Sequence, residues 1–184
     1  KLDGPFGSLM ISPPQTYKIV YLVAGGVGVT PMASLAEQLL HEHSVECEQV
    51  HFIWCSRDPH CFSEWFPQLM QSMQDSSLFT VHLYTTSSPP SGEMMATEND
   101  GSPTRSAWGS GAKQAEAQAD SAGSAASPPP FKPGRPDLGM LLGLAAGRSS
   151  EVAVYVCGPD ALQLSVQTLA QRHDFHWHKE TFAL

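Results

Sequence analysis

Ala24-Gly25-Gly26-Val27-Gly28-Val29-Thr30-Pro31 is the stretch on which the reading of this chain turns. An apolar run from Tyr17 to Val23 precedes it. Met32, Leu35, Ala36, Leu39 and Leu40 follow at helical spacing, so the pattern predicts strand, glycine turn, helix. The three glycines permit backbone angles and a close approach that side chains would block, and Thr30 and Pro31 read as a helix N-cap and a first-turn residue. Backbone N–H groups at such a helix start attract an anion, here a phosphate or pyrophosphate. The stretch has neither the third glycine of the dinucleotide fingerprint nor the lysine of a P-loop, so a plain strand-to-helix turn stands as the competing reading.

Working outward, Val50 to Cys55 forms a second strand, followed by Ser56-Arg57-Asp58-Pro59. Phe62, Trp65, Phe66, Leu69, Met70 and Met73 then make an apolar helical stripe interrupted by Pro67, where the helix either kinks or starts afresh. A third strand runs from Leu78 to Thr85. Residues 87–133 are read as a long insertion without a core: from Ser87 to Pro130 there is no Leu, Ile, Val, Phe or Tyr, too little apolar surface to offset the entropy of ordering. Order resumes at Gly134-Arg135-Pro136-Asp137 with a helix through Leu138, Leu141, Leu142 and Ala145, closed by Gly147. Glu151 to Cys157 reads as a fourth strand, Gly158-Pro159-Asp160 opens a helix buried through Leu162, Val166 and Leu169, and Phe175 to Phe182 is the fifth strand. The expected fold is α/β, a doubly wound five-stranded parallel sheet carrying a ligand off the carboxyl ends of its strands.

Composition narrows the function. With 184 residues and a formal charge of −8, the chain has room for one cored domain, and the acidic balance argues against a nucleic-acid surface. Cys47, Cys55, Cys61 and Cys157 form no CxxC pair, which suits reduced cysteines rather than a zinc site. No apolar run approaches the roughly 20 residues that span a bilayer, so this stretch is expected to be soluble. The start at Lys1, with a Gly4-Pro5-Phe6-Gly7 turn close behind, reads as a piece of something longer.

The candidate site residues gather where strands end. Gly25, Gly26, Gly28, Val29, Thr30 and Pro31 follow the first strand, Ser56 and Arg57 the second, and Cys157, Gly158 and Pro159 the fourth. An arginine after the second strand suits a 2′-phosphate and hence NADPH, whereas Asp58, one residue on, would favour NAD; the planar guanidinium fork favours Arg57. His173, His176 and His178 cluster near the end without the partners a metal site needs. Pro128 to Pro136 offers PxxP spacing beside basic residues, either a stiff linker or a ligand for a protein partner of the SH3 kind.

Taken together, Asp3-Gly4-Pro5-Phe6-Gly7, AGGVGVTPM from Ala24, FIWCSRD from Phe52 with EWF from Glu64, GRP from Gly134, CGP from Cys157 and KETF from Lys179 resemble the C-terminal NADPH-binding half of the NADPH oxidase and ferric reductase flavocytochromes, within the wider ferredoxin-NADP reductase-like group. The resemblance covers Asp3 to Phe182 apart from the insertion. It implies a hydride passing from NADPH to FAD and electrons then crossing a membrane through haem, with FAD held mainly by an upstream flavin domain and haem by membrane domains of the same chain. On that reading residues 1–16 end the flavin domain and residues 17–86 and 134–184 form the NADPH-binding domain, at the cytosolic face of a membrane. The resemblance carries Gly25, Gly26, Gly28 and Thr30 over to the pyrophosphate, Arg57 and Arg135 to the 2′-phosphate, Cys157, Gly158 and Pro159 to the nicotinamide pocket, and Glu180 and Phe182 to the closing acid and the aromatic against the flavin. Two features depart from the family pattern: one extra residue lies between Arg57 and Trp65, and Ala183-Leu184 extend past the usual terminal phenylalanine. Two other readings stand beside this one, a soluble FAD-dependent reductase of the cytochrome b5 reductase kind and a regulatory scaffold displaying the insertion.

Overall fold

Strand β1, Ile19–Gly25, is buried along its whole length, and the molecule is layered around it. The computed structural model describes residues 16–41, 46–86 and 130–180. In chain order the elements are β1, α1 (Val29–His41), β2 (Gln49–Ser56), α2 (Cys61–Glu64), α3 (Pro67–Asp75), β3 (Phe79–Thr85), β4 (Lys132–Pro133), α4 (Leu138–Gly143), β5 (Val152–Cys157), α5 (Asp160–Arg172) and β6 (His176–Glu180). The sheet order is β4-β3-β2-β1-β5-β6 and every pairing is parallel. Continuous apolar runs in β1, β2 and β5 are what a parallel sheet covered on both faces requires. One face, with Val20, Leu22, Phe52, Trp54 and Tyr155, packs under α1 and α3; the other, with Tyr21, Val23, Ile53, Val154 and Val156, packs under α4 and α5. Each large side chain buried this way contributes about 1.5–3 kcal/mol.

The sheet therefore has six strands, not five. The added one, β4, is two residues long and contains a proline; it exists through its pairing of Tyr84 with Lys132 and Thr85 with Pro133, helped by a 2.8 Å bond from the Gly134 N–H to the Thr85 carbonyl. No periodicity announces such a strand, and its edge position is where a proline is tolerated. At Pro67 the chain starts a new helix. Phe66 sits at φ 55, the left-handed region, so α2 stops and α3 begins with Pro67 at its head. Helix α5 buries Gln163, Val166 and Ala170, and the expected Leu162 and Leu169 are only half-buried. The turn expected at residues 4–7, most of the insertion and Phe182 lie outside the described residues. Among the described residues no helix is long and apolar enough to cross a membrane.

Candidate functional site

The strand order reverses direction between β1 and β5, because β2 to β4 build outward on one side and β5 and β6 on the other. The carboxyl ends of β1 and β5 meet there, with Ala24 in register with Cys157. A crevice at such a switch point is where open α/β sheets bind ligands.

The glycine turn occupies that point. Gly26–Gly28 tighten into a single 3-10 turn with no side-chain cap on its N–H groups, and α1 continues from Val29. Thr30 is therefore not the N-cap: it lies inside α1, and its hydroxyl donates back to the Val27 carbonyl at 3.1 Å. The glycines divide by role. A Cβ on Gly28 would strike the backbone of Cys157 and Gly158, and one on Gly25 would meet Pro159 at 2.7 Å and Leu162 at 2.9 Å, so these two let the first turn lie directly on the second. Gly26, at φ +55 with nothing within 4 Å of a Cβ position, is the glycine on the open side. Gly158, at φ +153 with Gly25 backbone atoms 2.9 Å from its own Cβ position, completes the contact. Thus Gly25 and Gly28 are glycines for loop-on-loop packing, a demand on these positions beside the phosphate contact that sequence reading gave them.

Two buried side chains brace these turns, and sequence reading missed both. The indole N–H of Trp54, on β2, donates to the Gly26 carbonyl at 3.1 Å. The amide of Gln163, in the first turns of α5 and only 7% exposed, donates to the Gly158 carbonyl, while its Oε1 finds no partner among the described residues. Trp54 looked like one more apolar strand residue, and a glutamine in an amphipathic helix carries no signal of burial.

After β2, Ser56 is buried and its hydroxyl accepts from the Asp58 N–H at 3.2 Å, while the Asp58 carboxylate accepts from the His60 N–H at 2.9 Å. Asp58 is thus committed to shaping its own loop, and Arg57 is exposed at the strand end. Arg135 is also exposed and follows β4 on the same edge of the sheet, one strand beyond β3. Between them the Thr86 N–H donates to the Ser56 carbonyl at 2.8 Å.

On the other side, Cys157 is 1% exposed, and burial first, the Glu180 carboxylate second, pushes its thiol above the usual range. It is a neutral thiol, poorly suited to act as a nucleophile. Glu180 lies opposite Cys157 in the β5–β6 register and pairs with His178 Nε2 at 3.0 Å. The other histidines stand apart: His173 stacks on Phe175 and His176 meets Tyr17. Among the described residues no group of three His, Cys, Asp or Glu side chains is arranged to hold a metal.

Comparison with known proteins agrees with the fold. The family model for the ferric reductase NAD binding domain matches residues 17–171. Human dual oxidase 1 is 35% identical over 46% of this chain and 6% of its own length. A superoxide-generating NADPH oxidase heavy chain of Dictyostelium discoideum is 27% identical over 99% of this chain and 35% of its own. The chain thus spans little more than a third, or far less, of these relatives. Among solved structures, Amycolatopsis cytochrome P450 reductase GcoB superposes with a TM-score of 0.57 at 16% identity, over 97% of this chain and 42% of that one, a likeness of fold alone.

Proposed function

Since this chain belongs to the ferric reductase NAD-binding domain family, we propose that it is the NADPH-binding part of a longer flavin oxidoreductase, an NADPH oxidase or ferric reductase with FAD and haem domains in the same chain. The observation that carries the reading is the meeting of three loops, Gly26–Gly28, Ser56–Arg57 and Cys157–Pro159, at the carboxyl ends of β1, β2 and β5 around the switch point. The residues fit a dinucleotide: the turn before α1 has uncapped N–H groups, Gly26 faces open space, and a 13-residue helix directs its positive end there.

When bound, NADPH would supply a hydride to FAD on the neighbouring domain, from which the two electrons would leave one at a time through haem across a membrane while the proton is released. Around it, the backbone from Gly26 to Gly28 would hold the pyrophosphate at the head of α1, where the Val29 N–H closes the turn onto the Gly26 and Val27 carbonyls and Thr30 and Pro31 complete the first helical turn. Arg57, with Arg135 from the adjoining edge, would grip the 2′-phosphate, while one oxygen of the Asp58 carboxylate is engaged in shaping the loop. Cys157 and Gly158 give the nicotinamide a small floor that carries no charge, since burial keeps the thiol protonated. Glu180, placed beside Cys157 by strand register, closes the pocket. The protein works at the cytosolic face of its membrane. A partner reading PxxP would not use the Pro130–Pro133 frame, because Phe131 rests on Phe62 and Lys132–Pro133 pair with β3.

Titrating the chain with NADPH and NADH tests the proposal. NADPH should bind more tightly, and Arg57→Ala should erase most of that preference, a loss of about ten- to a hundredfold for a charge-assisted contact of about 1.5–3 kcal/mol. Equal affinities in the parent protein would overturn the assignment.

A further inference from the structure

We infer that Trp54 is a positioning residue for dinucleotide binding: its indole N–H holds the Gly26 carbonyl inward and so aims the Val27 N–H at the pyrophosphate. The inference rests on the nucleotide reading above and adds a residue that touches no ligand itself. Trp54 is 0% exposed, on the face of β2 beneath α1, in register with Ala24. An indole has one donor and no acceptor, and in a dry interior that donor must find a partner. Here the partner is the carbonyl of the left-handed glycine on the open side of the turn, at 3.1 Å.

The orientation follows from the peptide plane. In a trans peptide the C=O of one residue and the N–H of the next point in opposite directions, so fixing the Gly26 carbonyl toward the core turns the Val27 N–H away from it. Val27 is 65% exposed, an apolar side chain left at the rim of the crevice because its backbone is what the turn presents. Thr30 does the same to the next peptide: its hydroxyl holds the Val27 carbonyl at 3.1 Å and so orients the Gly28 N–H. The Gly26 carbonyl also accepts from the Val29 N–H; a glycine peptide held by that one bond keeps much of its freedom to tilt, and the indole, as a second donor, narrows it before a ligand arrives. Trp54 is itself held edge-on by Phe62, ring centroids 5.0 Å apart, with Trp65 at 6.0 Å, so its donor does not wander.

The test compares Trp54→Phe with Phe62→Leu, which loosens the same aromatic cluster and keeps the indole donor. NADP⁺ and NAD⁺ are each titrated calorimetrically into the 184-residue chain, at a temperature where unfolding curves show all three proteins folded, and amide hydrogen exchange is followed at Val29, whose N–H donates to the Gly26 carbonyl. Trp54→Phe should weaken both dinucleotides by the same factor, about three- to tenfold as for a lost hydrogen bond, and quicken exchange at Val29. The NADP⁺-to-NAD⁺ preference should stay as in the parent, and Phe62→Leu should lower stability while weakening both dinucleotides clearly less than Trp54→Phe does, because it keeps the indole donor. Affinities in Trp54→Phe that match those of Phe62→Leu, or a loss confined to NADP⁺, would overturn the inference while the nucleotide reading stands. A parent chain that binds neither dinucleotide overturns the nucleotide reading and the inference together, and that outcome is visible without any variant.

Discussion

Gly26 and Gly28 stand two residues apart in one turn and answer to different forces. Gly28 is glycine because its neighbour is backbone: the atoms its Cβ would strike are those of Cys157 and Gly158, which cannot swing aside as a side chain would. Gly26 is glycine because of its φ of +55, with open space in front. Gly28→Ala should therefore cost about 2–3 kcal/mol in urea unfolding, as overpacking does, whereas Gly26→Ala should cost about 1 kcal/mol, the penalty of a left-handed alanine. For nucleotide affinity the order should reverse once temperature is chosen so that both variants are folded, because a methyl on Gly26 would stand on the open side of the turn whereas one on Gly28 would face the Cys157 backbone. Similar stabilities in the two variants would mean that the turns do not bear on each other as described. The sequence stretch shows three glycines and cannot show this division, since what Gly28 meets arrives 129 residues later in the chain.

Strands β2 and β3 carry a feature unconnected with the crevice: a buried histidine, His51, stacked on a half-buried one, His82. His51 stacks on Tyr21 with centroids 4.6 Å apart, and its Nδ1 lies 3.3 Å from Nε2 of His82. Burial, then His82, pushes His51 down to about 4, and burial, then Lys132, lowers His82. His51 stays neutral in the fold while the unfolded chain takes up a proton near pH 6.5, so the stability tied to its neutral ring is full above that pH and is lost as pH falls toward about 4, and the lowered His82 acts in the same direction. Unfolding free energy should drop by about 2 kcal/mol between pH 7 and pH 5 on account of His51, and His51→Phe should flatten that slope. The interval excludes most of the contribution of Glu151, whose carboxyl is held below its ordinary value by Lys18 and then Arg148 and so acts at lower pH. A slope unchanged in His51→Phe would place the proton uptake elsewhere. The elements themselves were legible in the sequence where periodicity was strong, as in β1, α1 and β5. They were illegible where geometry overrode hydrophobicity: α5 turns Gln163 and Ala170 inward because a small residue and a hydrogen-bonding one fit against the second turn and the sheet better than two leucines.

For the whole molecule, the sheet order explains both where the site lies and why a long insertion is compatible with it. The crevice belongs to β1, β2 and β5, while the insertion joins β3 to β4 at the outer edge, so its two ends are anchored away from the switch point. Those anchors are defined: the Thr86 N–H donates to the Ser56 carbonyl, Lys132 and Pro133 pair with Tyr84 and Thr85, and Phe131 rests on Phe62 with centroids 5.7 Å apart. Since β3 and β4 are parallel, a connection must leave the carboxyl end of β3 and return alongside it before Lys132, which takes about a dozen residues. Replacing residues 88–129 with a Gly/Ser linker of about that length should therefore preserve the sheet. Loop-closure cost changes by only about 0.6 kcal/mol per doubling of length, so shortening of this order should be neutral or stabilising by about 1 kcal/mol. Thermal unfolding should shift by no more than a few degrees, and NADPH affinity should be unchanged because Arg57 and the glycine turn keep their supports. If instead the melting temperature fell sharply, the insertion would have to pack on the sheet edge, and if affinity alone fell, it would have to reach the crevice. A linker of four residues gives the complementary result: too short for the return, it should unpair Lys132–Pro133 from β3, release Phe131 from Phe62 and lower NADPH preference through Arg135, with the glycine turn left intact.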